Sequence, residues 1–125
     1  MPKKHIRLTR LELEIMRYVW DLGEAAVREI HEAIPASKRP AYTTIQTILT
    51  RLEEKGAVRR SRKIGNAHLY QAVTTRQSTG ARLIDELLDL FGGDSEPLVA
   101  HLIDSGKLTL EDVKHAEELL KKRRK

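Results

Sequence analysis

At Gly56 the spacing of apolar residues changes, and that change confines the chain to helices interrupted by one hairpin. Before Gly56, apolar residues recur at helical intervals. Between Val58 and Val73 they fall into two short runs, about Val58–Lys63 and Ala67–Val73, around Gly65-Asn66. A Gly-Asn pair between two such runs predicts a two-residue hairpin turn. Beyond Val73 the helical spacing returns.

Three helices are predicted upstream. Thr9 caps the first, which runs to about Leu22 and stops at Gly23. Leu11, Ile15, Val19 and Leu22 form one stripe on it, and Leu13, Met16 and Trp20 lie nearly opposite. A helix apolar on two sides is usually sandwiched between neighbours. The second spans about Ala26–Ile34, with Val27, Ile30 and Ile34 inward, and Pro35 and Pro40 bracket the break after it. The third runs from about Tyr42 to Lys55. Ile45, Ile48, Leu49 and Leu52 are its core stripe, and Gly56 closes it. Three helices followed by a hairpin is the layout of a winged helix-turn-helix: mainly α, with a small β-hairpin wing.

The rest of the chain reads as helical. Leu83, Ile84, Leu87, Leu88 and Phe91 line a helix ended by Gly92-Gly93. Pro97 opens another carrying Leu98, Val99, Leu102 and Ile103, and Gly106 closes it. Thr109 with Asp112 forms a capping-box pattern ahead of Val113, Ala116, Leu119 and Leu120. Three short amphipathic helices bury little by themselves. A second copy of the chain is therefore expected to cover Leu83, Leu87, Leu88, Phe91, Leu98, Leu102, Val113 and Leu120. The organisation expected is a winged-helix DNA-binding domain over 1–73 and a helical dimerisation domain with a basic tail over 74–125.

Charge separates the same two parts. Residues 1–73 carry 14 Lys and Arg against 8 Asp and Glu, and residues 74–120 carry 4 against 10. The basic run Lys121–Lys125 reads as a solvated tail that complements a helix C-terminus. A basic front and an acidic back suit a chain whose first part meets a polyanion.

On the third helix, with Ile45 at the centre of the buried face, Thr43, Thr47 and Thr50 point away from the core. Thr44 and Arg51 flank one side and Gln46 the other. Threonine is a mediocre helix former, so so many in one short stretch ask for a reason. A short, polar face of this kind suits the major groove: threonine offers a hydroxyl or a methyl, and glutamine pairs with adenine. Thr43, Thr44, Gln46, Thr47 and Arg51 are the expected base readers. Tyr42 and the hairpin cations Arg59, Arg60, Arg62 and Lys63 are the expected phosphate contacts.

Other chemistries find little footing. The chain contains no cysteine, which excludes disulfides, thiolate metal sites and cysteine nucleophiles. His5, His31, His68, His101 and His115 are scattered without ligand spacing, so no metal is expected. No nucleophile–base pattern and no Gly-rich phosphate loop is present, and neither catalysis nor a cofactor is expected. No run approaches the ~20 apolar residues of a membrane span. The basic start runs into Glu12 and Glu14 without the apolar core of a signal peptide, so a cytoplasmic protein is expected.

Three segments carry a resemblance: Leu11-Glu-Leu-Glu-Ile-Met-Arg-Tyr-Val-Trp20, Tyr42-Thr-Thr-Ile-Gln-Thr-Ile-Leu-Thr-Arg-Leu-Glu-Glu-Lys-Gly56 and His68-Leu-Tyr70. Together they resemble the penicillinase-repressor (BlaI/MecI-type) transcriptional regulators, from about Leu8 to Leu120. The resemblance implies a homodimer on palindromic operators, released when a membrane-embedded sensor metalloprotease triggers cleavage of the repressor. Thr43, Thr44, Gln46, Thr47 and Arg51 match the family's recognition helix. Ala41 replaces a capping serine, and the hairpin is one residue longer around Ile64. The family's scissile Asn-Phe bond aligns with His101-Leu102, where neither residue type is kept. A copper-responsive branch carries C-terminal cysteines, which this chain lacks. Two other readings compete: a ligand-sensing MarR-type winged helix with a pocket between domains, and an adaptor whose winged helix binds protein.

Overall fold

The computed structural model describes residues 6–124. The basic start through His5 and the terminal Lys125 lie outside the described residues. The chain divides into two compact units, Met1–Gly80 and Ala81–Lys125.

In the first unit, helix α1 (Arg10–Leu22) starts at a reciprocal cap. The Glu12 N–H donates to Thr9 Oγ1 at 3.1 Å, and the Thr9 N–H donates to Glu12 Oε1 at 2.8 Å. The helix ends at Gly23, whose φ of 80° is open to glycine at little cost. Strand β1 (Glu24–Ala25), helix α2 (Val27–Ala33), a single 3₁₀ turn (Ala36–Lys38) and helix α3 (Tyr42–Glu54) follow. Strands β2 (Val58–Ile64) and β3 (Ala67–Ala72) complete an antiparallel sheet in the order β1-β3-β2. The hairpin turn is the Gly65-Asn66 pair, with a positive φ at Gly65 alone, as a type II′ turn requires.

Strand β1 has no counterpart in the sequence reading. It is two residues long, Glu24 opposite Gln71 and Ala25 opposite Tyr70, too short for any periodicity to show. It forms because the hairpin leaves one edge of β3 unpaired, and backbone groups there need partners.

The core gathers Ile15, Met16 and Val19 from α1, Ile30 from α2, and Ile45, Ile48, Leu49 and Leu52 from α3. Ile34, Ala57, Val58 and Tyr70 close it. The two stripes expected on α1 are each buried only in part, Ile15 and Val19 from one and Met16 from the other. Leu11 and Leu22 are exposed, and Leu13 and Trp20 are only half-buried. The buried face runs Glu12, Ile15, Met16, Val19, at i, i+3, i+4 and i+7, so a carboxylate heads the apolar stripe.

Glu12 is only 3% exposed. Lys55 Nζ lies 2.6 Å from its Oε1 and also donates to the Arg7 carbonyl at 2.9 Å. Burial pushes the Glu12 carboxyl up, but hydrogen bonds from Lys55 and Thr9 outweigh it and hold the group below its ordinary value.

The second unit takes in most of α4 (Arg76–Leu90), with α5 (Glu96–Asp104) and α6 (Leu110–Arg123). Thr109 and Asp112 form the expected capping box, with bonds of 2.9 and 3.1 Å. No residue of α5 or α6 is buried. The division at Gly80 falls inside α4, not at the end of the hairpin near Val73 as expected, because the first turn of α4 packs in the first unit. Thr79 is buried there. The Arg76 guanidinium pairs with Asp21 and lies 5.6 Å from the Trp20 ring centre, and the Trp20 Nε1–H donates to the Thr74 carbonyl at 2.9 Å.

Two consequences can be measured. Glu12 has a depressed folded-state value, so its stabilisation is present above the ordinary 4.5 and is lost as pH falls through that lowered value. Glu12→Gln should cost about 1–3 kcal/mol in urea unfolding at neutral pH. The difference from wild type should shrink in acid. Gly80 sits inside α4 where an added Cβ would meet nothing within 4 Å. Gly80→Ala should therefore stabilise the chain by about 0.5–1 kcal/mol, read as a higher thermal midpoint.

Candidate nucleic-acid interface

Helix α3 presents two faces. Ile45, Ile48, Leu49 and Leu52 are buried, while Tyr42, Thr43, Thr44, Gln46, Thr47, Thr50 and Arg51 are all exposed. The five expected base readers therefore share one solvent-facing surface. Ala41 stands at the N-cap and supplies no side-chain acceptor, so the first N–H groups of α3 are left uncapped.

The threonines are not equivalent. Thr47 Oγ1 donates to the Thr43 carbonyl and Thr50 Oγ1 to the Gln46 carbonyl, each at 3.0 Å. With their protons used within the helix, these two offer outward a methyl group and a lone pair. Arg51 has no ion pair among the described residues and keeps its full set of donors. Tyr42 lies edge-on to His31, with ring centres 5.8 Å apart. That contact anchors it between α2 and α3 while leaving it 42% exposed.

The wing sorts its cations. Arg59 pairs across the sheet with Gln71, Arg60 with Tyr70, Arg62 with Leu69 and Lys63 with His68, and a bulge lies between Arg60 and Arg62. Cross-strand partners share a face. Arg59 and Arg62 thus stand on the face of Gln71 and Leu69, joined there by Glu24, the β1 partner of Gln71. Arg60 stands with Tyr70 on the other face. A regular strand would have put Arg60 and Arg62 together.

Internal partners follow this sorting. Arg59 donates to Gln71 Oε1 at 2.7 Å. Arg60 lies 3.5 Å from Glu53, on the last turn of α3, with its guanidinium 6.0 Å from the Tyr70 ring centre. Arg62 reaches Glu24 at 2.9 Å. Lys63 has no ion pair among the described residues. The cations are legible in the sequence, and their acidic partners Glu24 and Glu53 are not. Glu24 lies 38 residues from Arg62, beyond any local signal. Arg39, also missed, donates to the Ile34 and Glu32 carbonyls and serves the end of α2.

The remaining candidates lie in the second unit. His101 and Leu102 are adjacent exposed residues within α5. Among the expected dimer contacts, Leu88 and Leu98 are half-buried, and Leu83, Leu87, Phe91, Leu102, Val113 and Leu120 are exposed. Among the described residues, no group of His, Asp and Glu is placed to hold a metal ion, and no helix is long and apolar enough to cross a membrane.

A three-helix core, a wing folded beside its third helix and a polar outward face on that helix define a winged-helix protein of the DNA-binding type. The sequence model of the penicillinase repressor family matches residues 8–122, and the chain belongs to that family. It is 38% identical over 86 residues to the transcriptional regulator BlaI of Mycobacterium tuberculosis, a match covering 68% of this chain and 62% of that relative. The chain thus spans less than two thirds of that relative's length. It is 24% identical over 121 residues to the penicillinase repressor of Staphylococcus aureus, covering 96% of this chain and 95% of that one. The solution structure of the DNA binding domain of the repressor BlaI matches with a TM-score of 0.52 and 28% identity, covering 60% of this chain and 90% of that domain. A mutant of E. coli MarR complexed with operator DNA matches with a TM-score of 0.50 and 22% identity, covering 92% and 74% of the two chains, a likeness of fold alone.

Proposed function

We propose that this chain is a sequence-specific transcriptional repressor that binds double-stranded operator DNA as a homodimer. The observation that carries the reading is the outward face of α3, where Thr43, Thr44, Gln46, Thr47 and Arg51 stand exposed together. Thr43, Thr44, Gln46 and Arg51 supply donors and acceptors for base edges, and Thr47 supplies a methyl for thymine. Tyr42 offers its hydroxyl to a phosphate, and the wing cations Arg59, Arg60, Arg62 and Lys63 line the phosphate-facing surface, Arg60 and Arg62 with their charge shared with Glu53 and Glu24.

The homodimer is supported by the second unit. Large apolar side chains on α4, α5 and α6 are left at 36% exposure or more, among them Leu83, Leu87, Leu102 and Val113. A matching surface on a second copy would cover them. Two linked winged helices would then occupy successive half-sites of a palindrome, about 10 base pairs apart. Linkage of two weak half-sites can raise apparent affinity by about 10²–10⁴. Loss of the C-terminal helices would release the operator, and that is the point at which a membrane-embedded sensor metalloprotease would act. In this chain the aligned bond, His101-Leu102, lies inside α5, so cutting there requires that helix to unwind. No small-molecule cofactor enters the reading.

The first test is binding to the duplex just upstream of the chain's own gene, against a scrambled duplex, at two salt concentrations. Preference for the native duplex that survives the higher salt is the expected result. Equal binding that collapses with salt would leave only a nonspecific polyanion binder. No binding at either salt would favour the protein-binding adaptor. Arg51→Ala should cost about 1–3 kcal/mol and relax preference at one base position, whereas equal loss on every sequence would make it a phosphate contact. Leu83→Asp with Leu87→Asp should turn a dimer into a monomer in sedimentation and weaken operator binding by about 10²-fold or more.

A further inference from the structure

Glu24 stands on the two-residue strand β1 and contributes nothing to the apolar core, yet both of its carboxylate oxygens are engaged by the wing. Arg62 Nε and Nη2 both lie 2.9 Å from Oε1, and Ser61 Oγ donates to Oε2. Ser61 lies at the bulge, and the bulge is what turns Arg62 onto the face Glu24 occupies. The hydrogen bonds from Ser61 and Arg62 hold the carboxyl below its ordinary value, so it is a full negative charge at neutral pH.

We propose that Glu24 is an internal competitor for DNA phosphates: its carboxylate occupies Arg62, withholds that arginine from the backbone of unrelated DNA, and so raises the chain's preference for its operator. The inference rests on the DNA-binding reading above and adds to it a residue that sets specificity without touching a base. An arginine held by a carboxylate gains little by exchanging it for a phosphate, since one anion replaces another and the cation released from the DNA is offset by the one the freed carboxylate attracts. Glu53 stands 3.5 Å from Arg60 and acts in the same sense, more weakly at its longer distance. Of the four cations on β2, only Arg59 and Lys63 are then without an ion pair among the described residues, and Arg59 still lies in the field of Glu24. Affinity for random sequence is held down, and the contacts that remain decisive are those of the α3 face, which depend on sequence. The uncompensated alternative, a wing with four free cations, would bind all DNA more tightly and discriminate less.

The experiment is a salt titration of a labelled random-sequence duplex with the full-length chain and its variants. Glu24→Gln keeps the size of the side chain and an acceptor for Ser61 but removes the charge. It should steepen the dependence of log K on log salt by about 0.9, the increment of one phosphate contact. Glu24→Ser, which shortens the side chain, should give the same steepening. Adding Arg62→Ala to Glu24→Gln should abolish the gain. On the duplex upstream of its own gene, Glu24→Gln should gain less than on random sequence, so preference falls. An unchanged slope with Glu24→Gln overturns the inference, as does weaker binding to both duplexes, which would make Glu24 the residue that aims Arg62 at a phosphate. Lys63→Ala should flatten the slope by about 0.9. If it does so while Glu24→Gln changes nothing, the competitor role fails and the DNA-binding reading stands. Failure of the wild-type chain to bind any duplex overturns both.

Discussion

The Glu12 carboxylate, buried at the head of the apolar stripe of α1, has to be matched by charge and hydrogen bonds. Left alone there it would cost several kcal/mol or take up a proton. Lys55 matches it from the C-cap of α3, and the Thr9 backbone matches it from the cap of α1 itself. One side chain thus joins the start of the first helix to the end of the third. Lys55 also holds the Arg7 carbonyl, so the segment leading into α1 meets the same point. With that end pinned and Ile45, Leu49 and Leu52 packed in the core, α3 has little freedom to rotate about its axis. The outward direction of Thr43, Thr44, Gln46, Thr47 and Arg51 follows from this arrangement.

Charge in the first unit serves two ends, and the geometry separates them. Some cations hold the fold: Lys55 on Glu12, Arg39 on the end of α2, Arg76 on Asp21 and Trp20. Others belong to the outer surface, on α3 and the wing. Within the wing the division is finer, since Glu24 and Glu53 each pair with one arginine while Arg59 and Lys63 form no ion pair among the described residues. A count of basic residues therefore overstates the field that a polyanion meets. The surface that remains is modest in charge and polar in detail, which suits selective recognition better than indiscriminate attraction.

The second unit follows a different logic. Its helices are made by local signals: the Thr109 capping box, the positive-φ glycines Gly92, Gly93 and Gly106, and the proline near the start of α5. None of these supplies a core, and most of the large apolar side chains stay exposed. Helices this short are marginal without tertiary packing. In the first unit the first turn of α4 does have such packing, where Thr79 is buried and the Arg76 guanidinium lies over the Trp20 ring.

Much of this protein is readable from neighbouring residues alone. The helix starts at Thr9 and Thr109, the stops at Gly23 and Gly56, the Gly65-Asn66 turn and the two faces of α3 are all written within a few positions. Caps, turns and periodicity act over one helical turn or one hairpin, so sequence spacing records them. The burial of Glu12, the strand β1 and the pairing of Arg62 with Glu24 are of another kind. Their partners lie 43 residues apart for Lys55 and Glu12 and 38 for Arg62 and Glu24. The bulge at Ser61 compounds the difficulty, because one extra residue sends every later side chain of β2 to the opposite face. Local chemistry determined which elements form and which surface of α3 is polar. Which cations face an acid, and which stay free for another molecule, was decided only when distant segments closed on one another.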